Sequence, residues 1–297
     1  MNGILCVDKP QDFTSFDVVA KLRGILQMKR LGHGGTLDPM ATGVLPVFVG
    51  SATKACDIMP DSTKSYTAGF RLGVTSDTQD IWGEVREYSD MAVSREDIEA
   101  VIPAFTGEIM QLPPMYSAVQ VNGRRLYDLA RQGVEVEREA RQVTVSRLSL
   151  TGYSSDKREG RLEICCGKGT YIRTIINDIG EKLGCGGIMT SLVRTSSGGF
   201  SLADCHTLEE IQQARDEGRL EELILPIDRV FAMLPELRLG EAQTRMYRNG
   251  VKLDLSRISG IVSGAVQYRV YGSDGAFIGT ADADAQSGIL RIGKNMG

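Results

Sequence analysis

A glycine-dense run from Gly32 to Pro46 constrains this chain more than any other feature. It contains four glycines, a single carboxylate at Asp38 and a proline directly after that carboxylate, and it leads into an apolar stretch. Glycine permits backbone conformations that other residues rarely adopt, and proline fixes the direction of the chain. Ordering such a loop costs conformational entropy, and ordered loops on a rigid scaffold often carry function. The run therefore predicts a site, whereas an isolated Asp-Pro pair indicates only a turn.

The elements of the first half follow from hydrophobic spacing. Thr14 and Ser15 are typical of a helix start, and the apolar residues after them repeat at helical spacing as far as Gln27. A polar connection at 73–82 separates two β-rich stretches. The pattern predicts strands at 3–7, 44–49, 64–72 and 83–88.

The second half alternates between strands and helices before its pattern changes. We predict strands at 141–153 and 160–166, and helices at 94–105, from about 171, and at about 207–217. Residues 111–131 are irregular and suit a binding element. Beyond residue 235, short apolar stretches with frequent glycines predict a small β-rich module. The fold class is therefore α+β.

The charge is unevenly distributed. The net charge of the 297 residues is -4 with a pI of about 5.4, which by itself argues against nucleic acid. Segment 204–228 carries eight acidic residues against two basic ones, so the rest of the chain is mildly basic. This distribution permits an RNA surface without proving one. The basic residues cluster at Lys21, Arg23, Lys29 and Arg30, and at Arg124, Arg125 and Arg131.

The sequence lacks the signals of a metal site or a nucleotide cofactor. Its six cysteines include no CxxC pair, it has only two histidines, and no P-loop or dinucleotide-binding motif is present. We interpret the cysteines as small apolar core residues in a reducing cytosol. No run approaches the ~20 apolar residues of a membrane span. We therefore expect no metal, no cofactor and no membrane.

Five motifs in order resemble the TruB family, the bacterial tRNA pseudouridine-55 synthases. The resemblance runs nearly end to end, and the family's order and spacing are kept. The motifs are Asp8-Lys9-Pro10, the run from Gly32 to Leu45, Lys64-Ser65-Tyr66, Gly167 to Thr174, and Leu192-Val193-Arg194-Thr195.

The resemblance implies a fold and a domain organisation. Residues 1–233 would form the pseudouridine synthase catalytic domain, with a mixed, largely antiparallel sheet flanked by helices and an RNA-binding insert at about 73–131. Residues 234–297 would form a small PUA-like RNA-binding domain. The implied activity is isomerisation of uridine 55 in the T-loop of tRNA, without a cofactor or an obligatory protein partner. The enzyme would be a cytoplasmic monomer that contacts the T-arm, and the acceptor stem through its C-terminal domain.

The family motif assigns catalysis to Asp38 as nucleophile on a flipped-out base. A carboxylate can bond to C6 of uracil or to C1′ of ribose, or act as a base at C2′, and these routes stay open. A bound base would bury the carboxylate and disfavour its charge, and Arg173 is the candidate cation that counters this. Without the motif, Arg173 would be interpreted as a surface ion pair.

The remaining site residues are substrate-binding by the same resemblance. Tyr66 would stack on the flipped uracil, and its hydroxyl would help to remove the C5 proton. Leu192 would line the base pocket, and Lys9 would support the motif loop or contact a phosphate. His33 would enter the RNA where bases are extruded, which lowers the cost of base flipping.

Three other readings remain open. The chain could be an RNA-binding folding helper, a role that is compatible with catalysis because Asp38 is present. It could be a guide-dependent relative inside a ribonucleoprotein, but the insert and the lack of basic tails favour the stand-alone type. The least favoured alternative is an acid–base enzyme that acts on a small molecule.

Overall fold

The computed structural model describes residues 1–121 and 123–296. The helices are α1 (Ser15–Leu26), α2 (Arg95–Val101), α3 (Leu126–Ala130), α4 (Ile172–Leu183), α5 (Leu208–Asp216) and α6 (Glu241–Arg248). The strands are β1 (Gly3–Lys9), β2 (Leu31–His33), β3 (Thr42–Val49), β4 (Lys64–Leu72), β5 (Val74–Ser76), β6 (Val85–Glu87), β7 (Gly107–Gln111), β8 (Gln120–Val121), β9 (Arg124–Arg125), β10 (Arg141–Ser154), β11 (Glu159–Cys166), β12 (Gly187–Ser197), β13 (Phe200–Ser201), β14 (Glu236–Arg238), β15 (Leu253–Asp254), β16 (Gln267–Tyr271), β17 (Phe277–Asp284) and β18 (Ile289–Asn295). Short 3-10 helices occupy Gly50–Ala55, Ile102–Phe105, Leu202–Asp204, Leu220–Leu223, Ile227–Phe231 and Leu255–Arg257.

The chain forms two compact units, and the first comprises residues 1–39, 44–62 and 197–296. In this unit β1 lies next to β3, and β2 pairs antiparallel with β3 through Leu31↔Val49 and His33↔Val47. Helix α1 is fixed at its start by a capping box between Thr14 and Asp17. The buried stripe of α1 packs with β1, β3 and α5 into one apolar cluster. This packing supports the loop that follows β2.

The C-terminal part of the first unit is a β-rich module. Its five strands run in the order β14-β16-β17-β18-β15, mostly antiparallel, around an apolar cluster that includes Tyr247 of α6. The predicted small β-rich module is confirmed. Phe277 and Met296 pack into a second cluster together with Ile4 and Phe48. A truncation at the predicted boundary of residue 234 would therefore remove core side chains from this unit.

The second unit comprises residues 40–43 and 63–196. Its sheet runs in the order β12-β4-β11-β10-β7, and the pairs from β4 to β7 are antiparallel. The first residues of β3 add a parallel pairing on β12, through Val193↔Thr42 and Arg194↔Gly43. Helices α2 and α4 pack against each other and on this sheet. The predicted mixed, largely antiparallel sheet flanked by helices is confirmed. The domain boundary at 233 stays a prediction.

The helices of the described residues include no candidate for a membrane span. Over residues 1–121 and 123–296, none combines the length and the apolar character that crossing a bilayer requires.

Asp178, in the middle of α4, is a carboxylate whose charge destabilises the fold. Burial raises its pKa to about 6, against a bond from the Asn177 side chain that lowers it. Because the folded protein holds this proton more tightly than the unfolded chain, stability falls as pH rises from about 4 to about 6 and stays lower above that. The full shift corresponds to about 3 kcal/mol, and solvent screening at this partly exposed position reduces it to about 1 kcal/mol.

We therefore expect Asp178→Asn to stabilise the protein at pH 7.5 by about 1 kcal/mol. The amide keeps the Oδ1 atom that accepts the Asn177 bond. Urea unfolding of both proteins between pH 5 and 7.5 should show a gap that widens with pH. Asp156→Asn, at an exposed turn, is the matched control. A gap that is constant over this range would exclude ionisation as the cause.

Candidate active site

The loop that carries Asp38 is anchored to the start of α1. The Leu37 N–H donates to Ser15 Oγ at 2.9 Å, and the buried Ser15 lies in the first turn of the helix. On the other side of Asp38, the Pro39 carbonyl accepts a bond from the Asp12 N–H at 2.9 Å. Leu37 is buried and Asp38 is half-buried. The backbone on both sides of the carboxylate is therefore fixed.

Lys9 provides a second anchor for the same loop. Its side chain is fully buried at the end of β1. The ammonium donates to the carbonyl oxygens of Pro10 at 2.8 Å, Phe13 at 2.5 Å and Pro39 at 3.1 Å. A buried cation is costly unless its donors are bonded, and these three carbonyls meet that need. This placement favours loop support over a phosphate contact.

Gly43 follows Asp38 by five positions and passes very close to β12 within the second unit. Its φ is +100°, and a Cβ built there would lie 2.3 Å from the Arg194 carbonyl oxygen and 3.0 Å from the Arg194 nitrogen. Both are backbone atoms of a paired strand, so they cannot move aside without a large cost in free energy. Glycine at this position is therefore required for the β3–β12 pairing.

We expect Gly43→Ala to destabilise the protein by about 2–4 kcal/mol and to lower activity sharply. The matched control is Gly184→Ala at the end of α4, where φ is +76° but a Cβ would meet nothing within 4 Å. Both substitutions place alanine at positive φ, so their difference isolates the close approach to β12. Thermal unfolding of the two variants measures it. Equal losses would show that backbone strain alone is responsible.

In the second unit, Arg173 lies in the first turn of α4 and is 6% exposed. Its Nη2 donates to the Tyr116 carbonyl at 2.5 Å, and its Nη1 lies 3.5 Å from Oδ2 of Asp80. Asp80 is itself buried, and its Oδ1 accepts bonds from the Thr78 hydroxyl at 2.6 Å and the Trp82 N–H at 3.1 Å. The guanidinium is thus held from two directions by two different segments.

The start of α4 is fixed by a reciprocal pair of bonds. The Tyr171 N–H donates to Oε1 of Gln111 at 2.8 Å, and Nε2 of Gln111 donates to the Tyr171 carbonyl at 3.0 Å. The Thr174 hydroxyl donates to Oε1 of Gln79 at 2.7 Å. Arg173 lies between these clamped residues. Its burial does not fit the surface ion pair that Arg173 would suggest without the motif.

The other predicted residues occupy defined positions in their own units. Tyr66 faces the buried side of β4 opposite Ile164 of β11 and is 8% exposed. Leu192 of β12 is equally buried in the same unit. His33 ends β2 in the first unit and is half-buried.

The insert presents aromatic and basic side chains. Tyr116 and Tyr127 meet edge to face at 6.5 Å between ring centroids, and the Arg131 guanidinium lies 4.3 Å from the Tyr127 centroid. The Tyr116 hydroxyl donates to Oδ2 of Asp77 at 3.3 Å. Because the Tyr116 carbonyl binds Arg173, the insert is joined directly to the start of α4.

Asp80 and Tyr116 are the site residues that sequence reasoning missed. Asp80 belongs to the polar segment 73–82, which the sequence pattern indicates only as a connection. A bridge to Met189 fixes this segment, with the Ile81 N–H donating to the Met189 carbonyl at 2.9 Å. No periodicity marks such a contact. Among residues 1–121 and 123–296, no three His, Cys, Asp or Glu side chains come together to hold a metal.

Comparison with known proteins gives matches along most of the chain. The family model described as "TruB family pseudouridylate synthase (N terminal domain)" matches residues 23–172, and "tRNA pseudouridylate synthase B C-terminal domain" matches residues 173–232. A protein of Dehalococcoides mccartyi (strain CBDB1) named tRNA pseudouridine synthase B is 46% identical over 260 residues, covering 87% of this chain and 86% of that protein. A protein of Clostridium kluyveri with the same name is 44% identical over 284 residues, covering 94% of each chain.

The fold also matches a solved structure. A chain in the crystal structure of a Cbf5-Nop10-Gar1 complex is 26% identical, with a TM-score of 0.76 over 99% of this chain and 85% of that one. Four of the five motifs that carry the resemblance lie within residues 23–232, which the two family models match. The Asp8-Lys9-Pro10 motif precedes that range. This chain therefore belongs to the TruB family of pseudouridylate synthases, and it is a pseudouridine synthase.

Proposed function

We propose that this enzyme isomerises uridine 55 in the T-loop of tRNA to pseudouridine, with Asp38 as nucleophile. The observation that carries the proposal is the anchoring of the Asp38 loop on both sides, by Ser15 at Leu37 and by Lys9 at Pro39. A catalytic carboxylate must be held in one place relative to its target, and fixed backbone on both sides provides this. Curated relatives named tRNA pseudouridine synthase B support tRNA as the substrate.

The reaction breaks the bond between C1′ and N1, turns the base and forms a bond between C1′ and C5. The C5 proton is lost and N1 gains one, so the reaction is redox-neutral and needs no cofactor or metal. Asp38 takes part covalently or as a base at C2′. We assign Arg173 to substrate binding by its place in the family motif.

The target base must leave its stack, at a cost of a few kcal/mol. His33 fills the space that the extruded base leaves. Tyr66 stacks on the uracil and its hydroxyl assists removal of the C5 proton, while Leu192 lines the same pocket. The low exposure of Tyr66 and Leu192 agrees with side chains that form pocket walls.

The insert and the C-terminal module supply RNA affinity. Tyr127 and Arg131 of the insert offer a stacking face and a cation for the T-arm. The module from residue 234 contacts the acceptor stem. We expect the enzyme to work as a monomer in the cytoplasm, without an obligatory protein partner.

The test uses the purified protein alone on an unmodified tRNA transcript, with chemical mapping of pseudouridine at each uridine. We expect modification at position 55, and none in a transcript that carries cytidine there. Modification at a different uridine would refute the position. A requirement for an added guide RNA or protein would favour the ribonucleoprotein reading.

A further inference from the structure

Two of the six cysteines lie on neighbouring backbone segments of the first unit. Val7 of β1 and His206 form a parallel bridge, in which the His206 N–H donates to the Cys6 carbonyl at 3.0 Å and the Asp8 N–H to the His206 carbonyl at 3.0 Å. Cys205 directly precedes His206, and its backbone is extended at φ -95° and ψ 151°. Cys6 and Cys205 are therefore adjacent in register.

Adjacent residues on parallel strands project their side chains to the same side. Cys6 and Cys205 both pack in the apolar cluster that contains Phe200 and Phe231. The Cys205 thiol donates to the Ser201 carbonyl at 3.4 Å. Neighbouring strands lie about 4.8 Å apart, within the range of roughly 4.4–6.8 Å that separates the Cα atoms of a disulfide. The spacing of the two segments is therefore compatible with a disulfide.

The two thiols differ in their exposure to solvent. Cys6 is fully buried, whereas Cys205 is half-buried. The neighbouring Cys205 thiol and burial raise the pKa of the Cys6 thiol. A small oxidant from solvent therefore reaches Cys205 first. Cys6 lies next to Cys205, where it can act as the resolving thiol that attacks the oxidised sulfur.

We propose that Cys6 and Cys205 are an oxidation site that forms a reversible disulfide on exposure to hydrogen peroxide. The Cys205 thiolate attacks a peroxide oxygen, the O–O bond breaks, and a sulfenic acid and one water result. Cys6 then loses its proton and attacks the Cys205 sulfur, the S–O bond breaks, and a second water leaves. Two thiols lose two electrons and two protons, and one peroxide is reduced to two waters.

The disulfide fastens β1 to the segment before α5. Strand β1 ends at Lys9, whose ammonium bonds the Pro39 carbonyl next to Asp38. The crosslink closes a loop of roughly 200 residues and so restricts the unfolded chain strongly. Oxidation therefore stabilises the unit that holds the Asp38 loop and leaves the native anchors of that loop in place. This inference does not depend on the proposed function.

The test treats full-length protein with increasing hydrogen peroxide, alkylates the remaining thiols in denaturant and maps the peptides by mass spectrometry. We expect a Cys6–Cys205 crosslinked peptide before any other cysteine is oxidised, and its loss on addition of dithiothreitol. Thermal unfolding of the oxidised protein should shift upward by at least about 5 °C.

Two variants separate this crosslink from general oxidation. Cys205→Ser should lose both the crosslinked peptide and the thermal shift, whereas Cys165→Ser, in the second unit, should keep both. Oxidation of wild-type Cys205 to sulfinic acid without a crosslink would overturn the proposal. Crosslinks between other cysteines in equal yield, or a crosslinked protein with an unchanged unfolding temperature, would also overturn it. If a variant fails to fold, the peptide map of the wild-type protein still tests the proposal.

Discussion

Replacing Asp38 by asparagine is expected to abolish pseudouridine formation and to leave tRNA binding nearly intact. The amide has the shape of the carboxylate, so the anchors at Leu37 and Pro39 are undisturbed. Only the charge and the nucleophilic oxygen are lost. We expect the single-turnover rate to fall by at least about 10³-fold, because an amide neither bonds covalently to the substrate nor accepts its proton.

The measurement separates chemistry from binding. Single-turnover conversion of a tRNA transcript at saturating enzyme reports the chemical step, and a binding titration with the same transcript reports affinity. Asp57→Asn, an exposed carboxylate in the same unit, controls for the loss of one negative charge. Turnover at the wild-type rate in Asp38→Asn would remove Asp38 from the mechanism. A parallel loss of affinity would indicate a role in holding the RNA.

Local signals in the sequence predicted four of the six described helices and several of the strands, but not the central strand β12. Thr14 and Asp17 form the capping box that starts α1, and the predicted stripe of that helix is buried. The apolar residues Ile172, Ile175, Ile176 and Ile179 of α4 are also buried, and the helix ends at Gly184 in the left-handed conformation. These features depend on residues a few positions apart. Hydrophobic spacing and cap chemistry are therefore sufficient to identify them.

Contacts between distant segments were not predictable in the same way. The Lys9 ammonium bonds a carbonyl thirty positions away, and Arg173 meets Asp80 across ninety-three positions. Neither pair has a spacing rule, since the sheet topology alone decides which segments meet. The packing of Met296 with Ile4 is a further example. The resemblance supplied the candidate site residues, but not the groups that hold them.

Arg173→Lys is expected to have the second largest effect, with turnover reduced by about 10²–10³-fold. The guanidinium bonds the Tyr116 carbonyl with one nitrogen and approaches Asp80 with another. A lysine keeps the charge but presents a single ammonium, which cannot hold both partners in the same geometry. The matched control is Arg71→Lys, which alters a more exposed ion pair with Glu87 in the same unit.

Asp80→Asn tests whether the position of Arg173 depends on this ion pair. The amide oxygen can still accept the bonds from Thr78 and Trp82, so the segment keeps its local structure. The amide, however, carries no negative charge that attracts the guanidinium. If Asp80 acts by orienting Arg173, the double variant Asp80→Asn, Arg173→Lys should be no slower than Arg173→Lys alone.

Turnover and stability must be compared for each of these variants, since a buried arginine that loses its partners also destabilises the fold. We expect the loss of turnover to persist at temperatures well below unfolding, because the affected step is chemical. Full turnover in Arg173→Lys would make the guanidinium a purely structural link between α4 and the insert. Additive losses in the double variant would mean that Asp80 and Arg173 act independently, and the ion pair between them would then have no role in catalysis.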